Sequence, residues 1–134
     1  MYFLLIYIYS KLVYIIQMIV GIGTDIVEIA RIEHIGSKNG FERLAKKILT
    51  KAEISALATL SAAKIAKRFA AKEAISKALG TGIGANLAFH DIEIFNDAAG
   101  KPITTIKNRA DLKINLSISD EKKYAIAFAV VEKI

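Results

Sequence analysis

Residues 67–84 read KRFAAKEAISKALGTGIG, and the prediction of the fold begins from this stretch. Its apolar and small residues recur at intervals of three and four, which predicts a helix over 62–79. The helix is expected to end at Gly80, because glycine accepts the left-handed backbone conformation of a helix C-terminus without strain. Positions three and four apart share a face. One face should therefore carry Phe69, Glu73, Ser76, Lys77 and Gly80.

The Glu73–Lys77 pair and the glycine segments of the chain also have ordinary explanations. Taken alone, Glu73 and Lys77 are best interpreted as an i,i+4 ion pair on a solvated helix face, worth about 0.3–0.5 kcal/mol. The segments GTGIG (80–84) and GIGTD (21–25) could let the backbone approach a phosphate, but such glycine pairs are usually turns. Neither has the spacing of a dinucleotide fingerprint or of a P-loop.

The segment MIVGIGTDIVEIARI (18–32) predicts a strand at 18–23 followed by a helical turn. Asp25 falls at the predicted junction. An acidic residue there is either the N-cap of the turn or a ligand that points outward, and the residues alone favour the cap.

Apolar spacing predicts further helices at 40–49 and 51–60, with Thr50 and Glu53 forming a capping box at the start of the second. After Gly84 the pattern changes to alternating or β-branched runs separated by turn residues, which predicts antiparallel strands. Helices in the middle and strands at the end indicate an α+β domain, and the strand beginning at residue 18 must join the C-terminal sheet.

Composition limits the function. A chain of 134 residues fits one domain. The chain has no cysteine, which excludes disulfides and thiolate zinc sites, and His34 and His90 lack partners at metal or catalytic spacing. Any metal is therefore expected to be a hard cation on carboxylates, with Mg²⁺ as the default. The net charge of +6 favours an anionic partner, although a nucleic-acid binder would rest on charge alone.

The first 17 residues, MYFLLIYIYSKLVYIIQ, differ in character from the rest of the chain. They are short for a membrane span, contain a lysine in the middle and lack the features of a signal peptide. Three interpretations remain: sequence upstream of a true start at Met18, a membrane anchor, or a packed helix. The first is favoured, which divides the chain into an extension (1–17) and a domain (18–134).

Four segments together, GIGTDIVEIARI, KRFAAKEAISKALGTGIG, DIEIFNDAAGKP and LSISDEKKYAIAFAVVE, closely resemble the holo-acyl-carrier-protein synthases in order and spacing. The resemblance covers 18–134. It implies the 4′-phosphopantetheinyl transferase fold, in which an antiparallel sheet packs against a long central helix and shorter helices. It also implies Mg²⁺-dependent transfer of 4′-phosphopantetheine from coenzyme A to a serine of apo acyl carrier protein, in the cytoplasm, for fatty-acid biosynthesis.

The resemblance also implies roles for individual residues. Asp25 and Glu73 match the family's metal-binding carboxylates and are counted with Lys77 as catalytic. Lys77 would stabilise or protonate the leaving phosphate. The expected coenzyme contacts are Arg68, Ser76, Lys77, Gly80, Gly82, Gly84, Lys101 and Pro102.

The family's partner is the acidic acyl carrier protein, and the family is a homotrimer that shares its active sites across subunit interfaces. Neither a membrane nor a nucleic acid is expected as a partner. The expected docking residues are Arg31, Arg43, Lys46 and Lys47.

The chain departs from the family at Asp120 and Glu121, where many relatives carry a histidine and a hydroxyl residue. Either Asp120 accepts the proton in place of that histidine, or a metal-bound water is the base. The departure also leaves an alternative function, a weak or inactive basic module that binds acyl carrier protein.

Overall fold

The computed structural model describes residues 1–13 and 18–134. The described residues form an α+β fold, as the sequence predicts. Its elements in chain order are α1 (Tyr2–Val13), β1 (Met18–Glu28), α2 (Ile29–Asn39), α3 (Phe41–Ile48), α4 (Lys51–Ala56), α5 (Ala62–Ala78), a 3₁₀ helix (Phe89–Asp91), β2 (Ile92–Asn96), β3 (Pro102–Ile106), β4 (Leu112–Asp120) and β5 (Tyr124–Lys133).

Helix α5 is the long central helix, and both of its ends have local causes. The Ser61 hydroxyl caps its N-terminus by accepting from the backbone N–H of Lys64 at 3.3 Å. At the other end Gly80 has a φ of +74° and donates its N–H to the Lys77 carbonyl at 3.0 Å. The predicted stop at Gly80 is therefore confirmed.

The main sheet has three antiparallel strands in the order β1-β5-β4, so the first strand does join the C-terminal sheet. Side chains on β5 alternate between its two faces. The face toward α5 is made of small buried residues, whereas Tyr124, Ile126 and Phe128 are exposed on the other face. The sheet thus has one covered face and one open apolar face.

Glycines 21 and 23 let β1 lie directly against α5. A Cβ at Gly21 would overlap the Ala78 carbonyl, and a Cβ at Gly23 would overlap the Ala74 carbonyl. The GIG segment is therefore a strand in close contact with a helix, and its interpretation as a turn is wrong. This contact fixes how residues further along β1 face the C-terminal turns of α5.

Strands β2 and β3 form a separate two-stranded antiparallel sheet, referred to below as the hairpin. Its turn is organised by Asp97, whose Oδ1 accepts from the backbone N–H groups of Ala99 and Lys101 at 2.9 Å each. The sequence predicted these strands but not their separation from the main sheet.

Several predicted boundaries are corrected. The first strand continues through Glu28 rather than ending at residue 23, and the segment predicted as a helical turn is the full helix α2. The helix predicted at 51–60 ends at Ala56. Its capping box is confirmed, because the Thr50 N–H donates to Glu53 Oε2 at 2.8 Å and the Glu53 N–H donates to Thr50 Oγ1 at 3.2 Å.

The side chains of residues 1–9 are exposed, and the interpretation of the extension stays a prediction. The side chains of residues 10–13 and the whole of residues 14–17 lie outside the described part of the chain. Among residues 1–13 and 18–134, no helix combines the length and apolar character needed to cross a membrane.

Candidate active site

The candidate site lies where the C-terminal turns of α5 meet β1. Asp25 pairs in register with Ala127 of β5, and that buried alanine faces α5, so Asp25 points to the same side. Lys77 donates from Nζ to Asp25 Oδ1 at 2.8 Å and to the Thr24 carbonyl at 3.0 Å. Glu73 lies one helical turn before Lys77. One chain therefore brings Asp25, Glu73 and Lys77 together.

The interpretation of Asp25 as an N-cap is wrong. Asp25 lies inside β1, where its backbone pairs with β5, and helix α2 begins only at Ile29. Its side chain is 15% exposed, while that of Lys77 is 51% exposed. The Asp25 side chain leaves the strand on the α5 side, against Lys77, and its role as a ligand stays a prediction.

Two carboxylates and one ammonium group determine the electrostatics of this cluster. Partial burial raises the pKa of the Glu73 carboxyl, the negative charge of Asp25 raises it further, and Lys77 opposes both effects. Among the described residues, no group of three or more histidine, aspartate or glutamate side chains is arranged to hold a metal. Two carboxylates nevertheless suit Mg²⁺, which commonly uses one or two protein carboxylates and takes its other ligands from phosphate and water.

The glycine segment after α5 leaves an open backbone surface beside this cluster. Gly82 has a φ of +64°, and a Cβ on Gly80, Gly82 or Gly84 would meet no atom within 4 Å. Ser76 is different. Its side chain is buried and its hydroxyl donates to the Glu73 carbonyl at 2.7 Å, so this structure does not support the predicted direct coenzyme contact of Ser76.

A second cluster surrounds Arg68, toward the N-terminal half of α5. The residues of this cluster line a cavity of about 370 Å³, here called the Arg68 pocket. Arg68 donates from Nη2 to Asn96 Oδ1 at 2.7 Å, and burial lowers the pKa of its guanidinium. The lining residues are Leu57, Lys64, Lys67, Arg68, Asn96, Gly100, Pro102, Ile118 and Asp120.

Pro102 lines both the Arg68 pocket and a second cavity, which Lys101 and residues of β4 also line. Asp120 forms an ion pair with Lys67, with Nζ and Oδ1 3.3 Å apart. Lys67 precedes Lys77 by ten residues, which is about 15 Å along a helix at 1.5 Å per residue. By register, Asp120 lies opposite Ala125 and Asp25 lies opposite Ala127, so the two carboxylates are separated by the width of β5 and two residues along it.

The predicted docking residues are all on the surface. Arg31 is exposed on α2, and the other three are exposed on α3, where Lys46 pairs with Glu42 at 2.8 Å. The same side of the molecule includes His90, whose Nε2 lies 2.7 Å from the Lys46 carbonyl, in keeping with a structural role. These four residues, Arg31, Arg43, Lys46 and Lys47, stay a prediction for docking.

The sequence did not predict that two buried charges, Glu53 and Lys72, form an ion pair. Glu53 was assigned only to the capping box, yet it also forms a fully buried ion pair with Lys72 at 2.7 Å. One signal was available, since Lys72 is three residues after Phe69 and seven after Ile65, on an apolar helix face.

Comparison with known proteins shows the family to which the chain is similar. A family model for the 4′-phosphopantetheinyl transferase superfamily matches residues 21–129. The holo-[acyl-carrier-protein] synthase of Geobacillus sp. (strain WCH70) is 49% identical, and the match covers 87% of this chain and 99% of that protein.

Two solved structures are also similar. One is a holo-(acyl-carrier-protein) synthase from Bacillus anthracis in complex with CoA (3′,5′-ADP); its TM-score is 0.77 at 43% identity, covering 87% of this chain and 99% of that one. The other is the Helicobacter pylori synthase in complex with coenzyme A, with a TM-score of 0.74 at 37% identity over 82% and 98% of the two chains. The motifs, the fold and these matches agree, and the chain therefore belongs to the 4′-phosphopantetheinyl transferase superfamily and, within it, to the holo-[acyl-carrier-protein] synthases.

Proposed function

We propose that this chain transfers 4′-phosphopantetheine from coenzyme A to a serine of apo acyl carrier protein. The serine oxygen forms a bond to the phosphorus that carries pantetheine, and the bond from that phosphorus to the bridging oxygen breaks. Adenosine 3′,5′-bisphosphate leaves, and the serine proton passes to a base. The observation that carries the proposal is the assembly of Asp25, Glu73 and Lys77 beside the open backbone of Gly80 and Gly82.

The chain's own groups supply most of the required chemistry. Lys77 holds the Asp25 carboxylate and is half exposed, so its ammonium is available to stabilise charge on the leaving phosphate. The open glycine backbone lets the coenzyme approach closely. Asp25 and Glu73 are the residues that would hold Mg²⁺, which when bound neutralises negative charge on the diphosphate.

The Arg68 pocket is proposed to bind the adenosine 3′,5′-bisphosphate end of the coenzyme. Lys64, Lys67 and Arg68 give it three cationic groups against the single carboxylate of Asp120. A guanidinium offers two parallel donors to a phosphate. The homotrimer expected from the family would allow the Arg68 pocket of one copy to combine with the carboxylates of another.

The open face of the main sheet supports the proposed homotrimer. Ile22 and Ile26 on β1 are 63% and 61% exposed, and Ile126 and Phe128 on β5 are 45% and 47% exposed. A contiguous apolar face of this kind usually marks an interface between proteins. Packing this face between copies would bury it and bring the clusters of different chains together.

The proposed macromolecular partner is an acidic carrier protein that docks on α2 and α3. Arg31, Arg43, Lys46 and Lys47 are exposed there, and the chain carries a net charge of +6. Opposite charge of this kind speeds association and orients the partner. A cytoplasmic location is proposed because both the partner and the coenzyme are expected in that compartment.

The proposed reaction is tested by the nucleotide that it releases. Incubation with coenzyme A, Mg²⁺ and apo acyl carrier protein should release one adenosine 3′,5′-bisphosphate per carrier, measured by chromatography. A carrier whose acceptor serine is replaced by alanine is the control and should give none. Stable binding of the carrier without nucleotide release would instead favour the inactive binding module.

Removal of divalent metal is expected to abolish transfer, because the coenzyme's diphosphate would then face Asp25 and Glu73 without charge neutralisation. The rate should fall to background with excess EDTA and return on addition of Mg²⁺. Potassium chloride at the same ionic strength is the control and should not restore the rate. Full turnover in EDTA would refute the metal assignment.

A protein that begins at Met18 is expected to be as active as the full chain, because β1 begins there and pairs with β5 from Met18 opposite Lys133. Rates and solubility of the two proteins should be compared at equal concentration. If the shorter protein precipitated or lost activity, residues 1–17 would be part of the working enzyme.

A further inference from the structure

A buried ion pair connects helix α5 to the hairpin. The side chains of Lys72 and Glu53 are both fully buried, with Nζ and Oε2 2.7 Å apart. Lys72 also donates to the Ile48 carbonyl at 2.9 Å and to the Phe89 carbonyl at 3.0 Å, so each of its three N–H groups has a partner. Burial lowers the pKa of Lys72, and Glu53 opposes that effect.

The Glu53 carboxylate connects three elements through its two oxygens. Oε2 accepts from Lys72 on α5 and from the Thr50 N–H at the start of α4. Oε1 accepts from the backbone N–H of Ile94, in the middle of β2, at 3.1 Å. The carboxylate therefore ties one edge of the hairpin to the helix that carries the candidate site.

Helix α5 and the hairpin form much of the wall of the Arg68 pocket, and Leu57 and two residues of β4 complete it. Arg68 precedes Lys72 by one helical turn, and Asn96 follows Ile94 by two residues, so each pair shares a face. The Arg68–Asn96 hydrogen bond thus lies next to the Lys72–Glu53–Ile94 connection. Asn96 also donates to the Gly100 carbonyl at 2.7 Å, which links it to the hairpin turn.

We propose that Glu53 and Lys72 are positioning residues that hold the hairpin at the separation from α5 at which the Arg68 pocket binds the anionic nucleotide end of coenzyme A. This inference rests on the proposed function, which assigns that end of the coenzyme to the pocket. Neither side chain touches the ligand. Both act through the hairpin that carries Asn96, Gly100 and Pro102.

A contribution to stability alone does not explain this arrangement. Buried ion pairs are often no more stabilising than well-packed apolar residues of similar volume. This pair also forms hydrogen bonds to the backbone of three other elements. Lys72 donates to the carbonyl groups of Ile48 and Phe89, and Glu53 accepts from the N–H group of Ile94. Such bonds fix the relative positions of these elements.

The test is Glu53→Gln, which keeps the shape of the side chain. Glu53 accepts at both oxygens, but glutamine has one acceptor and one NH₂ group. If its oxygen stays with the charged Lys72, the NH₂ group faces the Ile94 N–H and that bond is lost. At metal sites, loss of the groups that orient the ligands reduces affinity or activity by about 10–100-fold, and the lower end of that range is expected here.

The affinity for adenosine 3′,5′-bisphosphate, measured by calorimetry on folded protein well below its melting temperature, should therefore fall about tenfold. The KM for coenzyme A should rise correspondingly, while kcat changes little. Val131→Ala is the matched control, because Val131 is fully buried on β5, away from the hairpin. This control should lower the melting temperature without changing nucleotide affinity.

Normal nucleotide affinity in folded Glu53→Gln would overturn the inference. If that variant does not fold, Lys72→Met is measured in the same way, and amide hydrogen exchange is measured on the unmodified protein. The Ile94 amide should exchange more slowly when adenosine 3′,5′-bisphosphate is bound, and an unchanged rate would contradict the proposal. Absence of nucleotide binding by the unmodified protein would refute the proposed function itself.

Discussion

Replacing Glu73 with glutamine is expected to lower the transfer rate about 100-fold or more while leaving the fold intact. Glutamine preserves the volume and helix propensity of the side chain but removes one of the two negative charges that would hold the metal. Burial and Asp25 raise the pKa of the Glu73 carboxyl, so its ionised form destabilises the folded state as the pH rises through that pKa. The melting temperature at neutral pH should therefore not fall.

The matched control is Glu132→Gln. Glu132 is a carboxylate on β5 that pairs with Lys113 at 3.3 Å, outside the candidate site. Its replacement should leave turnover unchanged. Near-normal turnover in Glu73→Gln would return Glu73 and Lys77 to the ordinary explanation of an ion pair on a helix surface. Both rates are measured from nucleotide release at saturating coenzyme A.

Gly23→Ala is expected to have the largest effect on stability. Its new methyl group would overlap the Ala74 carbonyl and crowd the Ala78 amide nitrogen, and backbone atoms of a helix cannot move aside cheaply. Overpacking of this kind typically costs about 1–3 kcal/mol, and we expect the upper end of that range. Strand β1 must move away from α5, and Asp25, two residues further along, moves with it. Activity should fall in the protein that remains folded.

Gly84→Ala is the control for that change. A Cβ at Gly84 would meet no atom within 4 Å, and its backbone does not have the positive φ that requires glycine. Its free energy of unfolding in urea should match that of the unmodified protein. Equal stability of Gly23→Ala and the unmodified protein would show that β1 and α5 are not in the close contact described above.

Local signals predicted the parts of the fold that depend on neighbouring residues. The limits of α5, its stop at Gly80 and the Thr50–Glu53 capping box all follow from residues within one or two turns. The extent of β1 could not be predicted in this way. The spacing of Ile26, Ile29 and Ile32 also fits a helix, and pairing with β5, about 100 residues away, decides the structure of residues 24–28.

The candidate site was predicted in part. Asp25, Glu73 and Lys77 were named from the family resemblance, whereas their proximity depends on two glycines that allow β1 to approach α5. The second role of Glu53 was not predictable from its neighbours. Its partners Lys72 and Ile94 lie 19 and 41 residues away, so only the tertiary fold brings them together.

The most direct test of the account is the intact mass of the carrier protein. Apo acyl carrier protein is incubated with the unmodified enzyme, coenzyme A and Mg²⁺, and in parallel with Glu73→Gln under the same conditions. The unmodified enzyme should convert the carrier fully to a species heavier by one phosphopantetheine group, while the variant should leave it almost unchanged. An unmodified carrier after prolonged incubation with the native enzyme, or equal conversion by the two proteins, would contradict this expectation.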